Sequence, residues 1–212
     1  MFKTKAGILA VLTIALAGCA SDGDITDQGI VVTRSTCPAV AIPAGTGDIT
    51  LFNPANSRDA NAIDVVANIT NLRSTCGETA EFVVTTVTFD VQAQRRNPAG
   101  TRQVVLPYFA TVVQGGTNVV SKRVARVALQ FADGQLRAST RGAATAQVLR
   151  SAATLPPAVR QQITRQRKPG APDAAIDPLA DPAVRAAVTR ATFELLVGFQ
   201  LSQDQLQYNA TR

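Results

Sequence analysis

The stretch "EFVVTTVTFDVQAQRR" at residues 81–96 decides the fold. Its alternate positions on one side are mostly apolar, and they include Val83, Val87, Phe89, Val91 and Ala93. The positions between them are polar: Thr86, Thr88, Asp90, Gln92 and Gln94. Such alternation is typical of a β-strand that packs one face on a core and turns the other to water. It predicts a long strand that is covered on one side only.

Similar segments extend in both directions from this strand. Residues 63–72 also alternate, residues 101–114 are apolar on both faces with a bend expected at Pro107, and residues 192–201 form a further strand. In residues 118–131 the pattern predicts one buried face, made of Val119, Ala125, Val127, Leu129 and Phe131. Strands that recur between short turns predict a mainly β fold, an antiparallel Ig-like β-sandwich over residues 37–212.

A Pro/Ala-rich insertion, at about residues 142–190, separates the last strand from the others. We expect it to be partly helical, with helices over residues 155–168 and 183–191 joined by a proline-rich segment. Residues 136–152 are ambiguous, because their alanine content favours a helix. The Asp-Gly turn within residues 132–135 favours a return strand, which is the prediction we adopt.

The N-terminus carries the pattern of an export signal. Two lysines precede an apolar run that starts at residue 6, and small residues follow. This arrangement is typical of a secretory signal peptide. The run is shorter than the roughly 20 apolar residues that a membrane-spanning helix needs.

The end of this signal, "LAGC" at residues 16–19, resembles the lipobox of bacterial lipoproteins. The resemblance implies cleavage after residue 18, diacylglycerol on the Cys19 sulfur, and a further acyl chain such as palmitate on the new amine. Residues 19–36 would then form an acylated tether. Ala20 and Ser21 follow the cysteine, at the position where an aspartate would retain a lipoprotein in the inner membrane. We therefore expect the protein on the periplasmic face of the outer membrane. The alternatives are an ordinary signal with an incidental cysteine, and an uncleaved anchor.

Cys37 and Cys76 remain as an even pair once Cys19 is assigned to lipid. In an oxidising compartment such a pair predicts a disulfide, and the alternative is two free thiols. The chain has no histidine, which excludes Ser-His-Asp and Cys-His nucleophile pairs and histidine-based zinc sites. We therefore expect no enzyme activity, no metal site and no cofactor.

Basic residues outnumber acidic ones, giving a net charge of +6. Export makes nucleic acid an unexpected partner for this charge. The densest basic cluster comprises Arg160, Arg165, Arg167 and Lys168. It is a candidate contact for an anionic surface, or the solvated side of a helix whose apolar side is Leu155, Val159 and Ile163. We expect Lys122, Arg123 and Arg126 on the exposed side of a strand.

Several segments resemble a group of alphaproteobacterial envelope lipoproteins to which no activity is assigned. They are "CPAVAIPAGTGDITLFNP" (37–54), "DVVANITNLRSTC" (64–76), "LPYFATVV" (106–113), "SKRVARVALQFADGQ" (121–135) and "LLVGFQLSQDQLQYN" (195–209). The resemblance implies a lipid-anchored, strand-rich envelope domain and supplies no site residue.

Two functions are therefore expected. The first is a non-enzymatic structural or protein-interaction module of the envelope, anchored to the membrane by lipid and bound to another envelope protein. The alternative is an envelope binding protein for an apolar or anionic lipid or glycan. A filled core favours the first function, whereas an apolar pocket beneath the insertion favours the second.

The Cys19→Ser variant is expected to leave the membrane fraction, because each acyl methylene buried in the bilayer contributes about 0.8 kcal/mol to anchoring. Cell fractionation followed by immunoblotting measures the change. Retention of the variant in the membrane fraction would contradict the anchor.

Overall fold

The computed structural model describes residues 24–26, 29–31, 35–165, 170, 172 and 176–211. Its strands are β1 (Asp24–Thr26), β2 (Gly29–Val31), β3 (Ala39–Ala41), β4 (Asp48–Phe52), β5 (Ile63–Glu78), β6 (Phe82–Arg95), β7 (Arg102–Gln114), β8 (Asn118–Phe131), β9 (Arg137–Leu149) and β10 (Phe193–Phe199). Its helices are α1 (Arg150–Ala153), α2 (Pro157–Thr164), α3 (Pro182–Arg190) and α4 (Gln203–Thr211). No helix among these residues is long and apolar enough to cross a membrane.

The strands form a β-sandwich, as predicted. One sheet has the order β3-β10-β7-β8 and the other β4-β5-β6-β9, while β1 and β2 pair separately. Neighbouring strands are antiparallel except β3 and β10, which run parallel. The two-layer architecture is that of Ig-like sandwiches, although the strand order differs from their ABED and CFG sheets.

The predicted face of β6 forms the centre of the core. Val83, Val87 and Val91 have no exposed surface. They belong to one apolar cluster with residues of the opposite sheet, including Leu129, Phe131, Val197 and Phe199, which are likewise fully buried. Both sheets therefore contribute large side chains to a filled interior.

An aromatic contact joins the two sheets near the middle of β6. The rings of Phe89 on β6 and Tyr108 on β7 meet edge to face, with their centres 5.1 Å apart. The Tyr108 hydroxyl donates a hydrogen bond to the carbonyl of Ala143 on β9, at 2.7 Å. Phe89 also needs a glycine beside it, because a Cβ at Gly142 would lie 2.3 Å from its ring.

Arg95, at the end of β6, is buried to 1% exposure. Its guanidinium donates four hydrogen bonds of 2.5–2.9 Å to backbone carbonyls, those of Pro98, Gly100, Ala132 and Gln135. These carbonyls belong to the connections β6–β7 and β8–β9, each of which carries the chain from one sheet to the other. One side chain therefore fixes two of the crossings between the sheets.

The return strand predicted within residues 136–152 is confirmed as β9. Its pairing with β6 continues to Leu149, which lies opposite Phe82. The helical insertion therefore begins at Arg150 and not near residue 142, because sheet hydrogen bonds continue to that point. Both predicted helices exist, as α2 and α3, and the Asp181 carboxylate caps α3 by accepting from the amide of Ala183 at 2.8 Å.

The burial predicted for β8 is wrong for its first half. Val127, Leu129 and Phe131 are buried as expected, but Val119 and Ala125 are exposed. Alternation in a strand predicts which side a residue faces, whereas burial also requires a covering element on that side. Among the described residues, the opposite sheet does not cover the first half of β8.

The predicted Cys37–Cys76 disulfide is confirmed, and it joins the segment before β3 to the far end of β5. β7 continues through Pro107, the position of the predicted bend, and pairs it with Arg126. The signal peptide at 1–18 and the lipidated Cys19 lie outside the described residues, as does most of the 19–36 tether.

Helix α4 was not anticipated from the sequence. Tyr208 on α4 meets the ring of Phe52 on β4 edge to face, with 5.1 Å between their centres. The side-chain amide of Asn209 donates to the carbonyls of Gly45 and Asp48, both at 2.8 Å. These contacts dock the C-terminal helix on the edge of the second sheet.

Arg95→Lys is expected to lower the free energy of unfolding by about 2–4 kcal/mol. A lysine ammonium has three donors and cannot reproduce the planar arrangement of donors in a guanidinium, so buried carbonyls would be left without a hydrogen bond. Urea unfolding at pH 7 measures the loss. Arg73→Lys on the exposed part of β5 is the matched control, and an equal effect in both variants would contradict the role given to Arg95.

Candidate functional site

The basic cluster predicted on α2 is largely a solvated helix face. Arg160 and Arg165 are exposed, while Leu155 is buried and Val159 and Ile163 are half-buried. Arg167 and Lys168 lie outside the described residues. The amphipathic pattern is therefore confirmed, and the described part of the cluster does not converge on a site.

An open pocket of about 940 Å³ lies beside the insertion. Charged residues of both signs line it, namely Glu78, Glu81, Arg150 and Arg160. Glu78 accepts a hydrogen bond from the Thr36 hydroxyl. The pocket is therefore not the apolar cavity that would favour a lipid ligand. Within the described residues there is also no group of three or more Cys, Asp or Glu side chains that could hold a metal ion.

The first half of β8, residues 118–126, is a long exposed part of a sheet edge and is called the β8 edge surface here. β8 is the terminal strand of its sheet, so one side of its backbone is unpaired there. Every residue from 118 to 126 is exposed. The exposed fractions of Val119, Val120 and Val124 are 59%, 53% and 56%, which is unusual for valine in a strand.

The β8 edge surface is also strongly basic. Lys122, Arg123 and Arg126 lie on it, as expected, and all three are exposed. Across the described residues, none of the three has a carboxylate within 4 Å. The Lys122 ammonium lies 5.1 Å from the centre of the Phe109 ring, a cation–π contact that orients it along the sheet.

Two features of this edge are of a kind that limits its pairing with strands of other molecules. The register between β7 and β8 shifts at Val112 and Val113, which places a bulge near Val120. Lysine, arginine and bulges on an edge strand are known protections against aggregation. A strand that paired with this edge would bring its side chains beside these cations.

A second surface lies on the outer face of the other sheet. An open groove of about 1070 Å³ crosses β5, β6 and β9 there. Its floor includes Asn68, Gln92 and Ser139 in one cross-strand row, and Gln94 and Arg137 in the next. This groove was not anticipated, although Gln92 and Gln94 were predicted to face away from the core.

An ion pair engages Asp64, a residue of the groove lining. Asp64 on β5 accepts two hydrogen bonds from the Arg102 guanidinium, at 2.7 and 2.6 Å. These hydrogen bonds hold the pKa of the Asp64 carboxyl below its usual value, against an opposing effect of partial burial. Because Asp64 lies at the start of β5 and Arg102 begins β7, the pair joins interior strands of the two sheets.

No protein-family model, curated protein or solved structure matches the chain. The function is therefore inferred from the surface chemistry of the chain itself. Sequence patterning located the cations of the β8 edge surface, but it did not locate the exposed valines or the groove. Both depend on which elements lie opposite each strand.

The Asp64–Arg102 pair is expected to make the free energy of unfolding depend on pH in the acidic range. The pKa of Asp64 is lower in the folded state than in the unfolded state, where it is about 3.9. The pair therefore stabilises the fold fully at pH values above the unfolded-state pKa. This contribution is lost as the pH falls through the folded-state pKa. Asp64→Asn should therefore be less stable than the wild type at pH 7, and the difference should shrink toward pH 2.

Urea midpoints measured at pH 7, 4 and 2 test this expectation. Glu194→Gln, at a carboxylate without an ion pair among the described residues, is the control. A difference between Asp64→Asn and the wild type that stays constant with pH would contradict it.

Proposed function

We propose that the mature protein is a lipid-anchored, non-enzymatic interaction module on the periplasmic face of the outer membrane. It binds another envelope protein through the β8 edge surface. The observation that carries this proposal is a long, exposed edge strand that presents three valines together with three cations, none of which has a carboxylate partner among the described residues. The lipid anchor, expected from the lipobox, would hold this surface near the membrane.

The filled interior supports an external mode of binding. Core side chains of both sheets, such as Phe89, Leu129 and Phe199, are buried to 1% exposure or less. The pockets described above are open to the outside. A partner is therefore bound on the surface, and an edge strand offers a regular set of backbone donors and acceptors for it.

The partner is an extended, acidic segment. In β-strand addition, main-chain hydrogen bonds supply affinity and alternate side chains supply specificity. Valines at 119, 120 and 124 offer apolar contacts, and the cations at 122, 123 and 126 match carboxylates directly opposite. A second copy of this chain fits poorly, because antiparallel pairing centred on residue 122 would set Lys122 directly against the Lys122 of the copy.

Site-specific photocrosslinking in living cells tests the proposal. We expect a photoreactive phenylalanine analogue at Val124 to capture one defined envelope protein. The same analogue at Leu206, on α4 and 46% exposed, is the matched control and should capture none. The double variant Lys122→Glu, Arg123→Glu should remove the crosslink without changing the circular dichroism spectrum.

Equal capture at both positions, or capture of lipid alone at Val124, would overturn the proposal. Survival of the crosslink in the charge-reversed variant would overturn the acidic nature of the partner segment.

A further inference from the structure

We propose that the groove on the outer face of β5, β6 and β9 binds an oligosaccharide that carries acidic groups. This inference is independent of the β8 edge surface, because the two lie on different sheets. It rests on the pattern of polar side chains in the groove, on the absence of hydrogen-bond partners for them among the described residues, and on the positive charge that remains once Asp64 is paired with Arg102.

The floor of the groove is a regular array of hydrogen-bonding groups. Asn68, Gln92 and Ser139 are matched across three adjacent strands, and Gln94 and Arg137 are matched in the following row. Neighbouring strands lie about 4.8 Å apart, so the array presents donors and acceptors at short, repeated intervals. Each amide both donates and accepts, as does each sugar hydroxyl.

These groups are available to a ligand. Among the described residues, the side chains of Asn68, Gln92, Gln94 and Ser139 make no hydrogen bond within the protein, and all four are exposed. By contrast, the next row along the sheet is already internally bonded, because Asp90 is bonded to Asn71 and Arg141.

The charge of the groove selects for an anion. Asp64, the carboxylate in its lining, is engaged by both nitrogens of the Arg102 fork. The guanidiniums of Arg96 and Arg137 remain in the lining, and Arg96 uses one nitrogen to bond the Asn61 carbonyl. A guanidinium binds carboxylate or phosphate groups in a bidentate manner, which explains the preference for an acidic ligand.

The polarity of the groove argues against a lipid. Sites for apolar small molecules are mostly lined by hydrophobic and aromatic side chains. This lining contains no aromatic residue, and its apolar members are Ala60, Ile63, Val66, Ala93 and Ala138, of which three are alanines. An oligosaccharide that lies along the sheet can form hydrogen bonds between its hydroxyls and the rows of side-chain amides. Its acidic groups then lie beside Arg96 and Arg137.

The platform is also preorganised. The opposite faces of the same strands are core residues, with Val65, Ala67 and Val91 at 1% exposure or less. Arg95 lies between Gln94 and Arg96 and is held by four carbonyls. Rigid backbone under the array reduces the ordering cost of binding.

Titration of the ¹⁵N-labelled mature domain, followed by NMR, tests the proposal. The probes are tetragalacturonate, which carries carboxylates, maltotetraose as its neutral counterpart, and sodium phosphate as a simple anion. We expect tetragalacturonate to shift the side-chain amide signals of Asn68, Gln92 and Gln94. Maltotetraose should bind at least tenfold more weakly, and phosphate alone should leave the amide rows unshifted.

Arg137→Gln should weaken tetragalacturonate binding at least tenfold. Arg126→Gln removes the same charge from the β8 edge surface and should have no effect, so it is the matched control. In turn, Arg137→Gln should leave the Val124 crosslink intact, which separates failure of this inference from failure of the proposed function.

Three results would overturn the inference. They are the absence of amide shifts with tetragalacturonate at 10-fold molar excess and above, equal binding of maltotetraose and tetragalacturonate, and equal loss of affinity in Arg137→Gln and Arg126→Gln.

Discussion

The buried guanidinium of Arg95 is the contact on which the arrangement of the sheets depends. A charge with 1% exposure is costly unless its donors are all satisfied. Here the compensation comes from four backbone carbonyls and from the Phe131 ring, whose centre lies 5.2 Å from the guanidinium carbon. Because those carbonyls belong to two crossings between sheets, Arg95 fixes where β7 begins and where β8 ends.

The two candidate surfaces follow from this arrangement. β8 pairs with β7 along its length, but only its second half faces the core of the sandwich. The overhanging first half exposes both faces and one edge, which makes it suited to an added strand. On the other sheet, the outer sides of β5, β6 and β9 are continuous, since these strands pair in register over many residues. That continuity creates the rows of amides.

Both surfaces are basic, and they differ in what they can recognise. The β8 edge surface combines valines and cations around free backbone groups, a combination suited to an extended acidic peptide. The groove combines amides, a hydroxyl and guanidiniums without aromatic side chains, a combination suited to hydroxyls and acidic groups. A lipid-anchored domain with these surfaces would join an envelope protein and an acidic glycan on opposite sheets of one rigid sandwich.

The sequence by itself determined the six longest strands, the main turns, the disulfide and most of the core, because these depend on local alternation, on Gly and Asp turn chemistry and on an even pair of cysteines. It also placed Lys122, Arg123 and Arg126 on the outside. The tertiary structure alone decided that Val119 and Ala125 are exposed, that α4 docks on β4, and that Arg95 is buried. It also decided that Gln94 and Arg137 lie side by side. The physical reason is that the exposure of a residue and the identity of its neighbours depend on contacts between segments that are distant in sequence. Alternation within one strand does not indicate which element lies opposite it.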